Sequence, residues 1–197
     1  MTPPADDHAA LRPSAWADEL DRLDAAVYAA IAATPTPAMD VALRRLSRAA
    51  NHSRLWLGCS VLLAACGGER GRRAAENGLA SIALTSAVVN LVLKPLGNRR
   101  RPDRQMHDVP VTRQVAMPRS TSWPSGHSAS AFAFASGVSA AWPQAGIPLS
   151  VVASLVAYSR VHTGVHYPSD TIAGTASGVA LAPVAVAALR RRRSARA

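Results

Sequence analysis

Six residues separate Lys94 from Arg101-Pro102, the run Pro124-Ser125-Gly126-His127 follows, and Ser159-Arg160 precedes His166 and then Asp170. Three fixed cations, two imidazoles, one carboxylate and a Ser-Gly turn are what a phosphate dianion in mid-transfer requires. His166 and Asp170 are four positions apart, so on one helical turn they share a face, with Pro168 marking a helix start between them. A carboxylate there accepts the proton of one imidazole nitrogen and leaves the other free to attack phosphorus, which makes His166 the candidate nucleophile. Lys94, Arg101 and Arg160 would surround the nonbridging oxygens, where charge builds as phosphorus becomes five-coordinate. Ser125 and the backbone N–H of Gly126 would complete the cradle at a helix N-terminus, a position that favours anions. Without a side chain, Gly126 lets a phosphate come close to the backbone. No metal is required by this chemistry.

In this order and at these spacings the three blocks resemble the type 2 phosphatidic acid phosphatase and vanadium haloperoxidase superfamily. Every fixed position of the pattern is present between Lys94 and Asp170. The resemblance implies a phosphohistidine intermediate on His166, hydrolysed by water. It also implies that His127 protonates the departing alkoxide and then deprotonates the incoming water, a double duty suited to an unperturbed pKa of about 6.5. No cofactor is expected. Bacterial members of the family act on polyprenyl diphosphate, phosphatidylglycerophosphate and phosphatidic acid, so a lipid phosphate is the expected substrate and membrane lipids the expected surroundings. The arginine and alanine bias fits a GC-rich source and adds a polyprenyl-linked sugar phosphate to that range.

The elements that must carry these residues are expected to be helices, giving an all-α, membrane-embedded bundle of about five to six helices with the site at one membrane face. Hydrophobic residues make up 49% of the 197, but alanine supplies much of that and the mean hydropathy is only +0.07, so insertion has to be argued segment by segment. Apolar stretches run over 55–68, 74–93, 125–142, 147–158 and 171–189. Several fall short of the roughly 20 residues that cross a bilayer. If each crosses once, the loop with Arg70, Arg72 and Arg73 shares a side with the tail from Arg190 to Arg193, and the positive-inside rule makes that side cytoplasmic. All three chemical blocks then fall on the extracytoplasmic side of a multi-pass cell-membrane protein. Against this orientation, the external loop from Pro95 to Trp123 carries six arginines.

Residues 1–53 read as an N-terminal amphipathic helical segment and 54–197 as the membrane phosphatase core. Leu20, Leu23, Val27, Tyr28 and Ile31 recur at helical spacing, Thr34-Pro35-Thr36-Pro37 stops that helix, and a short second one follows. Such a pair could lie in the lipid interface or cover the core. Residues 1–14 lack a basic start followed by an apolar run, so no cleavable signal peptide is expected. Cys59 and Cys66 would sit roughly 10 Å apart along a helix, too far for a disulfide, and read as buried, inert thiols.

The formal charge of +10 is almost wholly arginine, since Lys94 is the only lysine. Nucleic-acid binding is disfavoured because no recognition motif accompanies that charge. A vanadate-dependent haloperoxidase is disfavoured by the short chain and apolar spans, and a non-catalytic anionic-lipid binder by the completeness of the three blocks. Arg99, Arg100 and Arg104 read as a solvated charge run, Asp103 and Asp108 as loop residues, and His8, His52 and His107 as histidines without a chemical role. His162, four residues before His166, reads as a possible lining of the pocket.

Overall fold

The computed structural model describes residues 13–196 and contains seven α-helices. They are α1 (Pro13–Ala33), α2 (Pro37–Ala49), α3 (Arg54–Cys66), α4 (Gly68–Leu96), α5 (Gly126–Ser139), α6 (Pro143–His162) and α7 (Pro168–Ser194). No strand occurs among the described residues. His8 and most of the stretch read for a signal peptide lie outside them. Prolines open α2, α6 and α7, where the missing N–H costs nothing because the first-turn donors have no helical partner. Helix α4 is α-helical to Val88, passes through a π-helical turn at Val89–Leu93 and ends with Lys94–Leu96. That wider turn sits immediately before the lysine of the first block, as π-turns often do at functional sites.

The core is built around α5, which is in contact with α4, α6 and α7. Apolar on every side, it buries Ala129, Ala131, Ala133, Phe134, Ala135 and Val138. Small residues let its neighbours come close. A Cβ at Gly174 or Gly178 of α7 would fall inside van der Waals distance of the carbonyl oxygens of Ser125 and Ala129, respectively. Trp56 of α3 closes the cluster against Phe134, ring centroids 5.3 Å apart.

Among the described residues two helices, α4 with 29 residues and α7 with 27, are long and apolar enough to cross a membrane. Helices α1 and α2 pass the same test only jointly and are bent by 119°. With 13 and 14 residues, α3 and α5 reach about 20 Å, short of a hydrocarbon core of about 30 Å.

The ends of the bundle are chemically distinct. At one end α3 turns into α4 beside Trp142, and Glu76 of α4 pairs with Arg193 of α7. At the other end lie the three chemical blocks. Helix α1 rests on that second end with Trp16, Leu20, Leu23 and Val27 as an exposed apolar stripe and with Asp24, Tyr28 and Ala32 buried. Of its acidic residues Asp24 has turned inward, towards the site. The thiols also depart from the expectation, since Cys66 is exposed and Cys59 only half-buried; both are free.

Candidate active site

His166 lies in the short connection between α6 and α7, and its backbone N–H donates to the Arg160 carbonyl at 3.3 Å. Its side chain is 2% exposed, and Asp170, on the first turn of α7, is fully buried. Nδ1 of His166 is 3.4 Å from Asp170 Oδ2 and 3.4 Å from Ser122 Oγ. Asp170 Oδ2 also accepts from the Ser122 hydroxyl and, at 2.8 Å, from the Tyr167 backbone N–H. With a carboxylate at Nδ1, the proton sits there and the Nε2 lone pair faces the other way. It faces Arg101, whose Nη1 is 3.2 Å from Nε2 and donates to the Val165 carbonyl at 2.7 Å.

Burial pushes the His166 pKa down from 6.5 to about 4, Asp170 opposes the shift through its hydrogen bond, and the Arg101 and Arg160 charges reinforce it. The imidazole is therefore neutral at physiological pH, the state in which it can attack.

The first block is organised by residues that no motif marks. Ser120 accepts from Lys94 Nζ at 3.2 Å through its hydroxyl and from Arg101 Nε at 2.9 Å through its carbonyl, holding both cations on one segment. Arg101 Nη2 adds a bond to the Thr121 carbonyl at 3.1 Å. Lys94 Nζ is 3.7 Å from where a Cβ on Gly126 would sit, so the ammonium covers the bare glycine of the second block. Ser125 caps α5, accepting from the Ser128 hydroxyl at 3.0 Å, and its own N–H donates to the Asp170 carbonyl at 2.9 Å. Arg101, Ser125, His166 and Asp170 are thus linked by direct contacts, and Lys94 is tied to Arg101 through Ser120.

His127 and Arg160 are held from the N-terminal segment. Nε2 of His127 is 2.8 Å from Asn51 Oδ1, an acceptor, so that nitrogen carries a proton. Nη1 of the buried Arg160 donates to Ser47, and its Nε has no partner among the described residues. His162 is turned away from His166: its Nε2 is 3.0 Å from Asp40 Oδ1, in a buried network with Arg113, whose Nε donates to the same oxygen at 2.8 Å.

Arg99 is not part of a solvated run. Nη1 donates to Asp170 Oδ1 at 3.1 Å and to Ser169 Oγ at 2.7 Å, while Nη2 lies 2.6 Å from Asp21 and 2.7 Å from Asp24. The guanidinium stacks 4.5 Å from the Tyr167 ring centroid. Asp24 further accepts from the Ser169 N–H at 2.9 Å and from its hydroxyl. These bonds hold Asp24 of α1 inward, while Leu20 and Leu23 stay exposed. Arg104 is also engaged, donating from Nε to the Gly164 carbonyl at 3.1 Å, and Asp103 caps its own loop by accepting from the Gln105 N–H at 2.8 Å. Beside Arg101 a cavity of about 950 Å³ opens among Pro102, Arg104, Asp108, Val109 and Gln114.

Residues 77–194 match the PAP2 superfamily, and the chain belongs to it. It is a membrane phosphatase of the PAP2 type, all-helical as that family's solved members are. Over 171 residues it is 32% identical to a decaprenylphosphoryl-5-phosphoribose phosphatase of Mycobacterium tuberculosis, covering 85% of this chain and 92% of that one. A lipid A 1-phosphatase of Rhizobium etli is 33% identical over 104 residues, half of this chain and 43% of the relative. Among solved structures, Aquifex aeolicus LpxE superposes with a TM-score of 0.68 at 24% identity, covering 83% of this chain and 94% of that one. The PAP2-type phosphatidylglycerolphosphate phosphatase of Bacillus subtilis gives 0.65 at 24% identity, with coverages of 89% and 88%. These two likenesses concern the fold.

Proposed function

We propose that this chain removes a terminal phosphate from a lipid-linked phosphate monoester or diphosphate through a phosphohistidine on His166. The observation that carries the reading is the line from Asp170 through His166 to Arg101: a buried carboxylate on Nδ1, and a guanidinium 3.2 Å from Nε2 where a phosphoryl oxygen would lie. The Nε2 lone pair forms the P–N bond as the P–O ester bond breaks, and the departing alkoxide takes a proton from His127. His127 then removes a proton from water, whose oxygen displaces His166 and releases inorganic phosphate. Lys94, Arg101 and Arg160 stabilise the nonbridging oxygens, with Ser125 and the Gly126 N–H completing the cradle. Arg160 Nε, buried without a partner among the described residues, is a donor that such an oxyanion would satisfy.

Within the range of polyprenyl diphosphate, phosphatidylglycerophosphate, phosphatidic acid and polyprenyl sugar phosphate, the last is the substrate we favour. Its support is the mycobacterial relative, matched over nearly its whole length. The site sits on the extracytoplasmic face of a multi-pass protein and works without a metal. Brief exposure to radioactive substrate should leave an acid-labile, base-stable label on the wild-type protein. His166→Ala should abolish both label and turnover, whereas His127→Ala should still be labelled by esters with good leaving groups. Turnover stopped by a chelator, or undiminished in His166→Ala, would overturn the mechanism. A panel of purified lipid phosphates ranks the substrates independently of it.

A further inference from the structure

The end of the bundle remote from the site holds a cavity of about 770 Å³ that catalysis does not use. Arg70, Arg73 and Asn77 of α4 line one wall and Arg190 and Arg193 of α7 another, with Ala140 at the end of α5 between them. Two of the guanidiniums are held in ion pairs, Arg73 with Glu69 and Arg193 with Glu76. Arg190 has only a 3.4 Å contact to the Ala140 carbonyl, and Arg70 makes no side-chain hydrogen bond among the described residues. Four arginines against two glutamates leave a surplus of two positive charges around a concave space.

A second observation is independent of charge. The cavity shares Ala140 and Arg190 with a groove of about 220 Å³ whose other walls are Ser136, Pro183, Val186 and Ala187. Pro183 is seven residues before Arg190, so the groove runs about 10 Å from the arginines towards the middle of the bundle. A proline inside α7 cannot bond to the preceding turn and disturbs the local helix, which opens the surface there. Basic above and apolar below is the profile of an amphiphile. The level also fits: Arg73 and Lys94 are 21 residues apart on α4, about 32 Å, against a hydrocarbon thickness of about 30 Å. The arginines therefore stand at headgroup height in the leaflet opposite the site. A topology signal needs positive charge on one side only; it needs neither convergence from two helices nor an adjoining groove.

We propose that cavity and groove together hold one anionic phospholipid of that leaflet, its phosphate between Arg70 and Arg190 and an acyl chain along Pro183 and Ala187. Such a lipid joins α4, α5 and α7 at the ends opposite those that carry Lys94, His127 and Asp170. It is a structural ligand, and the proposal does not depend on the catalytic reading.

The full-length protein, stripped of lipid in neutral detergent, is offered equimolar dioleoylphosphatidylglycerol and dioleoylphosphatidylcholine and examined by native mass spectrometry and thermal unfolding. One phosphatidylglycerol per chain should be retained in preference to phosphatidylcholine, and the Tm should rise with the former alone. The double variant Arg70→Gln/Arg190→Gln should lose retention at least tenfold. Ala187→Trp, a surface change that fills the groove without altering charge, should do the same and decides the matter if the double variant folds poorly. Equal retention of the two lipids, or retention by Ala187→Trp equal to wild type, overturns the proposal. A Tm rise produced as well by inorganic phosphate also overturns it, since the site would then take a free anion.

Discussion

His166 is an imidazole whose protonation is set by its surroundings, and this gives the mechanism a pH signature. Only the neutral ring attacks, and with the pKa at about 4 the acid limb of His166 phosphorylation should fall near pH 4 and not near 6.5. Burial is the main cause and stays in every variant, but Arg101 adds to the depression and Asp170 opposes it. Arg101→Gln should therefore move the limb up towards 6.5 and Asp170→Asn should move it down, read from single-turnover labelling across pH with a good-leaving-group ester. Arg99 acts one step further out, as a positioning residue for Asp170. Arg99→Gln should lower kcat by about 10²-fold with little change in KM, because it loosens the carboxylate that orients the ring. It also leaves the buried Asp24 short of its cation. Adding Asp24→Asn should restore the melting temperature but not kcat, a split that a purely structural role would not give. The motif residues stood out in the sequence through the spacing of the three blocks, and the structure brings Arg101, Ser125, His166 and Asp170 together. Arg99, Ser120, Ser122 and Asn51 did not stand out, since an arginine in a basic run, a loop serine and a loop asparagine look the same whether solvated or engaged.

At the scale of elements, the periodicity that announced the helices could not say which way α1 faces. Leu20, Leu23 and Val27 are a stripe that could face the core or the lipid interface, and it is Asp21, Asp24 and Tyr28 on the adjoining face that meet Arg99 and the α6–α7 connection. An ion-pair cluster beside the site has taken the inner face, and the leucines are left exposed. Helix lengths were legible in part: α4 and α7 read as long apolar stretches, whereas the 147–158 stretch extends into the 20-residue α6 and the 125–142 stretch yields a 14-residue α5 packed between α4, α6 and α7. That position depends on two glycines. Gly174→Ala and Gly178→Ala each force a methyl against a carbonyl of α5, and overpacking of this kind costs about 1–3 kcal/mol. Thermal unfolding should show similar losses for the two. Their activities should part, because Gly174 presses on Ser125, whose N–H holds the Asp170 carbonyl, whereas Gly178 presses on Ala129 one turn away. A larger fall in kcat/KM for Gly174→Ala at equal stability is the expected result.

For the whole molecule, the separation of a reactive end from a basic end turns orientation into a single measurable fact. Parity puts the three blocks on one side only if each apolar stretch crosses once, and among the described residues α4 and α7 alone are singly long and apolar enough for it; the contacts from Arg101 to His166 and from Ser125 to Asp170 join the blocks at one end whatever the crossing number. The other end carries Arg70, Arg73, Arg190 and Arg193, an excess that the positive-inside rule assigns to the cytoplasm. The six arginines of the 95–123 loop would argue the reverse if they were free, but Arg99, Arg101, Arg104 and Arg113 are tied into the fold by ion pairs and hydrogen bonds. Bound in that way they are weaker as topology signals than Arg70 and Arg190, which make no ion pair among the described residues. Cys66, exposed at the basic end, and Met106, 78% exposed in the loop beside the site, are natural reporters. In intact cells a membrane-impermeant maleimide should label Met106→Cys in a Cys59→Ser/Cys66→Ser background and should leave wild-type Cys66 untouched until the cells are permeabilised. The opposite pattern would place phosphate release in the cytoplasm and would require the free arginines to face outward against the rule. A substrate presented in the outer leaflet would then be unreachable.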